Sequence, residues 1–265
     1  MVVSQKIPVK EFAKQCRDQA IPLSNLFSYF CAFRIEDDVL NRLLHEPVAA
    51  TPPELGKLYT CIRVILVPYL EDLSLEKESN GSTNSRAGIN LKVTPKSVVS
   101  FTPPPDRRRI IADTLRCEDE AFIFLAVTDE DPADLHYGFY GSVANLICEI
   151  LDEDRMAGFT ELLRKELIDR THGEIDECSW RFKEDLLRRQ GNPTRNTKLL
   201  RGYLRQSMQD TLTLYMHGLC CGIDLETGPQ QLNSRDIRRR LNLLRQILPP
   251  PPGVALFPEE LDRRH

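Results

Sequence analysis

The chain is poor in the features that announce a catalytic class. It contains no Gly-x-Ser-x-Gly elbow, no Gly-x-Gly-x-x-Gly turn and no Walker lysine loop. Elbow-type serine hydrolysis, dinucleotide binding and nucleoside-triphosphate binding therefore lack their usual carriers. No cysteine pair has C-x-x-C spacing, and the adjacent Cys220 and Cys221 cannot both face one metal from a regular helix, which argues against a zinc ribbon or finger. The segment Met1 to Lys6 has no basic head leading into an apolar run, so secretion is not expected. Apolar runs are short as well. Ala121 to Val127, among the longest, falls far below the length of a membrane span. The expected address is the cytoplasm, with no membrane span.

What is present suits a globular protein. Of 265 residues, 41% are hydrophobic and 28% charged, which is enough apolar material for a core and excludes wholesale disorder. The length allows one large domain or two small ones. A net charge of −4 argues against a surface that traps nucleic acid everywhere, while leaving local basic patches open. The eight cysteines, at 16, 31, 61, 117, 148, 178, 220 and 221, are scattered through apparently helical segments and read as reduced thiols.

Helical periodicity dominates the pattern. Phe12, Ala13 and Cys16, then Leu23 to Cys31, then Ile35 to Leu44 predict three short helices, the last stopped by Pro47. Thr51-Pro52-Pro53-Glu54 reads as a capping box with a proline start, opening a helix to about Leu73 with a kink at Pro68. Periodicity vanishes from Ser74 to about Lys96, and Ser97 to Phe101 reads as a short strand. Ile110, Ile111, Leu115, Phe122 and Leu125 fit one helical stripe, so Ala121 to Val127 is assigned to helix, although seven apolar residues also suit a buried strand. After a turn-like Leu135 to Gly141, helices are expected from Ser142, around Met156 to Leu167, around Trp180 to Leu187, from Thr194 to Cys221, and from Ser234 to Leu248. The expected fold is mainly α, an all-helical globular bundle with at most a minor β element near 97–101. Its expected parts are an N-terminal helical region (1–73), a flexible linker or long loop (74–96), a C-terminal helical domain (97–248) and a proline-rich tail (249–265).

Charge is segregated. Glu118 to Asp154 holds eleven acids and no lysine or arginine, whereas Arg188 to Arg205 holds six bases and no acid. Within the basic stretch Arg195 precedes Lys198, Arg201 and Arg205, and the last three share a helix face at i, i+3 and i+7. That face is a candidate binding surface for a phosphate-bearing ligand, nucleic acid or an acidic partner. Arg235, Arg238, Arg239, Arg240 and Arg245 form a second basic group on the last helix.

The densest constellation is Thr171-His172-Gly173-Glu174-Ile175-Asp176-Glu177, just before the only tryptophan, Trp180. His172 and Asp176 at i, i+4, with Glu177 beside them, make a half-site for a divalent metal such as zinc, iron or manganese, which His217 on the following helix could complete. The competing reading is a helix junction, since Thr171-x-x-Glu174 and Asp176 both carry capping chemistry. Asp129-Glu130-Asp131-Pro132-Ala133-Asp134 superficially resembles the aspartate-rich motif of prenyl-transferring helical enzymes, but Pro132 breaks the helix they require; a carboxylate-capped turn is expected. The functional expectation is an intracellular adaptor or regulatory protein acting through a protein partner. The alternatives are a metal-dependent hydrolase or oxidoreductase centred on His172, Glu174, Asp176, Glu177 and His217, and a nucleic-acid or phosphate binder using Arg188 to Arg205.

Overall fold

The computed structural model describes residues 6–59, 61–74, 97–117, 120–151, 153–189, 191–223 and 230–260. The expected linker, apart from Ser74 at its start, falls on residues 75–96, which lie outside this set. The chain divides into two compact units, one of residues 1–43 with 59–139 and one of residues 44–58 with 140–265.

Unit 1 is built on two sheets. Three parallel strands, β3 (Phe27–Cys31), β4 (Ile62–Val67) and β9 (Glu120–Ala126), form the middle of a five-stranded sheet, with β2 (Ile21–Pro22) and β8 (Ala112–Cys117) antiparallel at its edges. A second, antiparallel sheet has the order β1 (Lys6–Pro8), β6 (Ser97–Ser100), β5 (Tyr69–Asp72), β7 (Arg109–Ile110). Its register places Val99 opposite both Ile7 and Leu70. Helix α1 (Val9–Cys16) buries Val9, Phe12, Ala13 and Cys16 against Ile65, Val67, Phe122 and Phe124 of the larger sheet and Leu70 and Val99 of the smaller. The opposite face of the larger sheet buries Ile62, Val64 and Leu66, aligned with Ala121, Ile123 and Leu125.

The expectation of a mainly α, all-helical bundle with at most a minor β element near 97–101 is overturned, because the described residues carry nine strands in two sheets and the fold is mixed α/β. The physical reason lies in β4 and β9. Central parallel strands are covered on both faces, so they appear as unbroken apolar runs without the alternation that marks a half-exposed strand. Ala121 through Ala126 are all buried, so the run assigned to helix is a strand, and Ile110 to Leu125 spans β7, β8 and β9. The helix expected over 51–73 is a 3₁₀ turn (Pro53–Lys57) followed by two strands separated at Pro68. Thr51 does not cap it; its hydroxyl donates back to the Val48 carbonyl at 2.7 Å. In place of the helix expected over Leu23 to Cys31, Leu23 to Leu26 form a bend and Phe27–Cys31 is strand β3, and Pro47 sits in the first turn of α3 (Glu46–Ala49) instead of ending a helix. Between α2 (Asp37–Leu40) and α3 the chain takes a wider π turn, Asn41–His45.

Helix α4 (Pro132–Ile150) absorbs the stretch read as a turn at Leu135 to Gly141. Asp131 starts it, accepting from the Ala133 amide at 2.8 Å, with Pro132 where a missing N–H costs nothing. Unit 2 contains the later part of α4 with α5 (Glu153–Ile168), α6 (Glu177–Arg188), α7 (Lys198–Cys221) and α8 (Ser234–Ile247). Helix α7 is the central one and packs against α3, α5, α6 and α8. Its approach to α6 depends on Gly202, where an added β-carbon would stand 2.7 Å from the Phe182 ring. After α8 the chain folds back: Leu256 and Phe257 are buried, and Glu259 and Glu260 pair with Arg238 and Arg245. No helix among the described residues is long and apolar enough to cross a membrane.

Candidate functional site

The junction between α5 and α6 is set by backbone geometry. Arg170, at φ 54°, turns the chain out of α5, and Gly173, at φ 85°, carries it across the segment before α8. Glu174 pairs there with Gln231 as an isolated parallel bridge, its amide donating to the Gln230 carbonyl at 3.0 Å and its carbonyl accepting from Leu232 at 3.1 Å. A β-carbon on Gly173 would lie 2.2 Å from the Gln231 carbonyl oxygen, so sterics and backbone conformation both require glycine. Asp176 then caps α6 in a reciprocal box with Ser179.

The junction delivers Glu174 into a sealed ionic cluster. Arg240 of α8 is fully buried, and all five of its N–H groups point at oxygens. Its Nε donates to Glu166 of α5 at 3.0 Å, and its two terminal nitrogens reach Glu166 at 2.5 Å, Glu174 at 2.8 and 3.1 Å, and Ser207 of α7 at 2.8 Å. Glu174 also accepts from the Tyr203 hydroxyl at 2.6 Å, the Ser207 hydroxyl at 3.0 Å and Lys183 of α6 at 3.2 Å. Lys183 donates as well to the Gly173 carbonyl at 2.7 Å. Two cations and two carboxylates balance, and every helix from α5 to α8 contributes.

The protonation states follow from this packing. Burial alone would raise the Glu174 carboxyl, but Arg240, Lys183 and Tyr203 overcome it and hold it at about 2. Burial lowers Lys183 and raises Tyr203. Arg240 is held above its ordinary value by Glu174 and Glu166 against the effect of burial. Nearby, burial pushes the Asp210 carboxyl up to about 6, although it accepts from the Ser179 amide at 3.3 Å and from Gln206 at 2.8 Å.

The four residues expected to hold a metal have separate surroundings. The His172 ring stands edge-on to Trp180 with centroids 5.3 Å apart, Asp176 caps α6, and Glu177 pairs with Arg181 at 2.5 Å on the exposed face. His217 lies edge-on to Tyr140 at 6.2 Å. No three of these four bring ligand atoms within 4.8 Å of one another. Of the predicted basic face, Arg195, Lys198, Arg201 and Arg205 are all exposed. Arg201 donates to the Asn196 carbonyl at 3.0 Å, and Arg205 faces Glu149 at 3.5 Å.

The second basic group separates in three directions, as consecutive residues about 100° apart on a helix must. Arg240 enters the core, Arg238 lies over the Phe257 ring at 4.4 Å and pairs with Glu259, and Arg239 opens with Arg235 onto a groove between α5 and α8. The groove has a volume of 690 Å³. Among the described residues, Lys165, Arg235, Arg238 and Arg239 line it against a single acid, Glu161, with Leu162 and Leu243 as its apolar part. Neither Arg235 nor Arg239 pairs with an acid among the described residues. The run of arginines was visible in the sequence, but the α5 wall opposite it was not. In comparisons with known proteins, no family model, no curated protein and no solved structure matches the chain.

Proposed function

We propose that the chain is a non-catalytic binding protein that works by contact with another protein, through the outer surface of unit 2. The observation that carries this reading is the use made of charge there. The densest ionisable cluster is neutral in sum and consumed internally, with the donors of Arg240 and the oxygens of Glu174 directed at one another. Arg235 and Arg239 of the α5/α8 groove, in contrast, are exposed around a concavity and pair with no acid among the described residues. A metal-dependent reaction at His172, Asp176, Glu177 and His217 would require those side chains to converge, and each has a different neighbour. Eight cysteines carried as free thiols support a reducing compartment such as the cytoplasm.

A photo-crosslinking residue placed at Asn242, on the groove wall, tests the reading in cells that make the protein. We expect one discrete protein adduct from this position and none from the same probe at Lys10, an exposed position of α1. Absence of an adduct from Asn242, or equal labelling from Lys10, would overturn it.

A further inference from the structure

We infer that the α5/α8 groove receives an acidic peptide segment of a partner protein, an assignment that rests on the binding reading above. Two helical stripes define it. Gly158, Glu161, Leu162 and Lys165 run along α5 at i, i+3, i+4 and i+7. Arg235, Arg239, Asn242 and Gln246 run along α8 at i, i+4, i+7 and i+11. At the helical rise the α8 stripe is about 16 Å long, which matches about five residues of extended chain and exceeds a single phosphate. Arg235 and Arg239 are four residues apart on α8, a rise of about 6 Å, close to the spacing of alternate residues along an extended chain. Asn242 and Gln246 add side-chain amides that can both donate to and accept from a peptide backbone.

Gly158 supplies an independent observation. It lies inside α5, where glycine is a poor helix former, and an added β-carbon there would meet nothing within 4 Å. Nothing among the described residues explains the missing side chain by packing. Its effect is to lower the groove wall so that another backbone can approach closely, beside Leu162 and Leu243, which offer a seat for one apolar side chain. A nucleic-acid strand fits less well, because no aromatic side chain among the described residues lines the groove for a base to stack on.

The test is fluorescence anisotropy on the full chain with a labelled peptide of alternating Asp and Glu around one Leu. A Lys-substituted peptide and a single-stranded oligonucleotide of equal length serve as comparators. Binding of the acidic peptide alone is expected, weakening by about tenfold or more between about 50 and 200 mM salt. Arg235→Glu with Arg239→Glu should weaken it by about tenfold or more, as expected for loss of central charged contacts. Gly158→Leu should weaken it about fivefold or more without lowering the melting temperature, since leucine favours the helix and has open space. Binding unaffected by the double charge reversal, or tighter binding of the oligonucleotide, would overturn the inference. If the acidic peptide does not bind while the Asn242 crosslink persists, the acidic assignment fails and the binding reading stands. If the Asn242 crosslink is absent as well, the binding reading fails with it.

Discussion

Arg240 is a fully buried cation whose donors are all directed into the fold. Its guanidinium satisfies two buried carboxylates that belong to different elements, Glu166 on α5 and Glu174 at the bridge to Gln231. Arg240→Met keeps the side-chain volume but leaves both carboxylates in the core with only Lys183 for countercharge. The expected loss in urea unfolding is about 3–5 kcal/mol, since breaking a buried pair strands a charge; a loss below about 1 kcal/mol would show that the cluster is not a determinant of unit 2. Gly173→Ala should cost about 1–3 kcal/mol in the same measurement, because a β-carbon meets the Gln231 carbonyl and the residue must keep φ 85°.

The two shifted carboxyls have opposite signs. Glu174, held at about 2 against an ordinary 4.5, stabilises the fold above its ordinary value, and that contribution is lost as pH falls from 4.5 toward 2. Asp210, raised from 3.8 to about 6, favours the folded state while protonated, so its contribution is complete below 3.8 and lost as pH rises through 6. Wild type should therefore gain stability relative to Asp210→Asn as pH is lowered from about 7 to about 4. A difference that stays flat over that range would contradict the assignment.

At the level of elements, legibility depended on exposure. Helices α5 to α8 each have a wet face and a dry face, so their apolar residues recur with helical spacing, and Gly222 with its positive φ closes α7 where the sequence placed the end. Strands β4 and β9 have no wet face and lose the signal, and β2 and β7, with two residues each, are too short to carry one. The ionic cluster was illegible for a different reason. Its members are separated by as many as 74 residues, and an acid at position 174 looks the same in sequence whether it ends in water or beneath an arginine. The packing of α6 on α7 offers a test of element placement. Gly202→Leu forces a side chain into the Phe182 ring and should cost about 1–3 kcal/mol by overpacking; unchanged stability would mean the helices do not meet there.

On the scale of the molecule, each unit is organised by a different principle. Unit 1 is held by apolar faces of two sheets around α1, and unit 2 by helices whose polar residues are sorted inward and outward. That sorting explains how an acidic chain can still present a basic groove. Many of its acids serve as caps and ion-pair partners, as Asp131, Asp176, Glu259 and Glu260 do, while Arg235 and Arg239 remain turned to solvent.

The most direct test of the proposed binding role is amide hydrogen exchange on the full chain with and without the acidic peptide. Slowed exchange is predicted within residues 158–165 of α5 and 235–246 of α8, the two walls of the groove. Slowing confined to residues 195–205, or no change in either wall at saturating peptide, would contradict it.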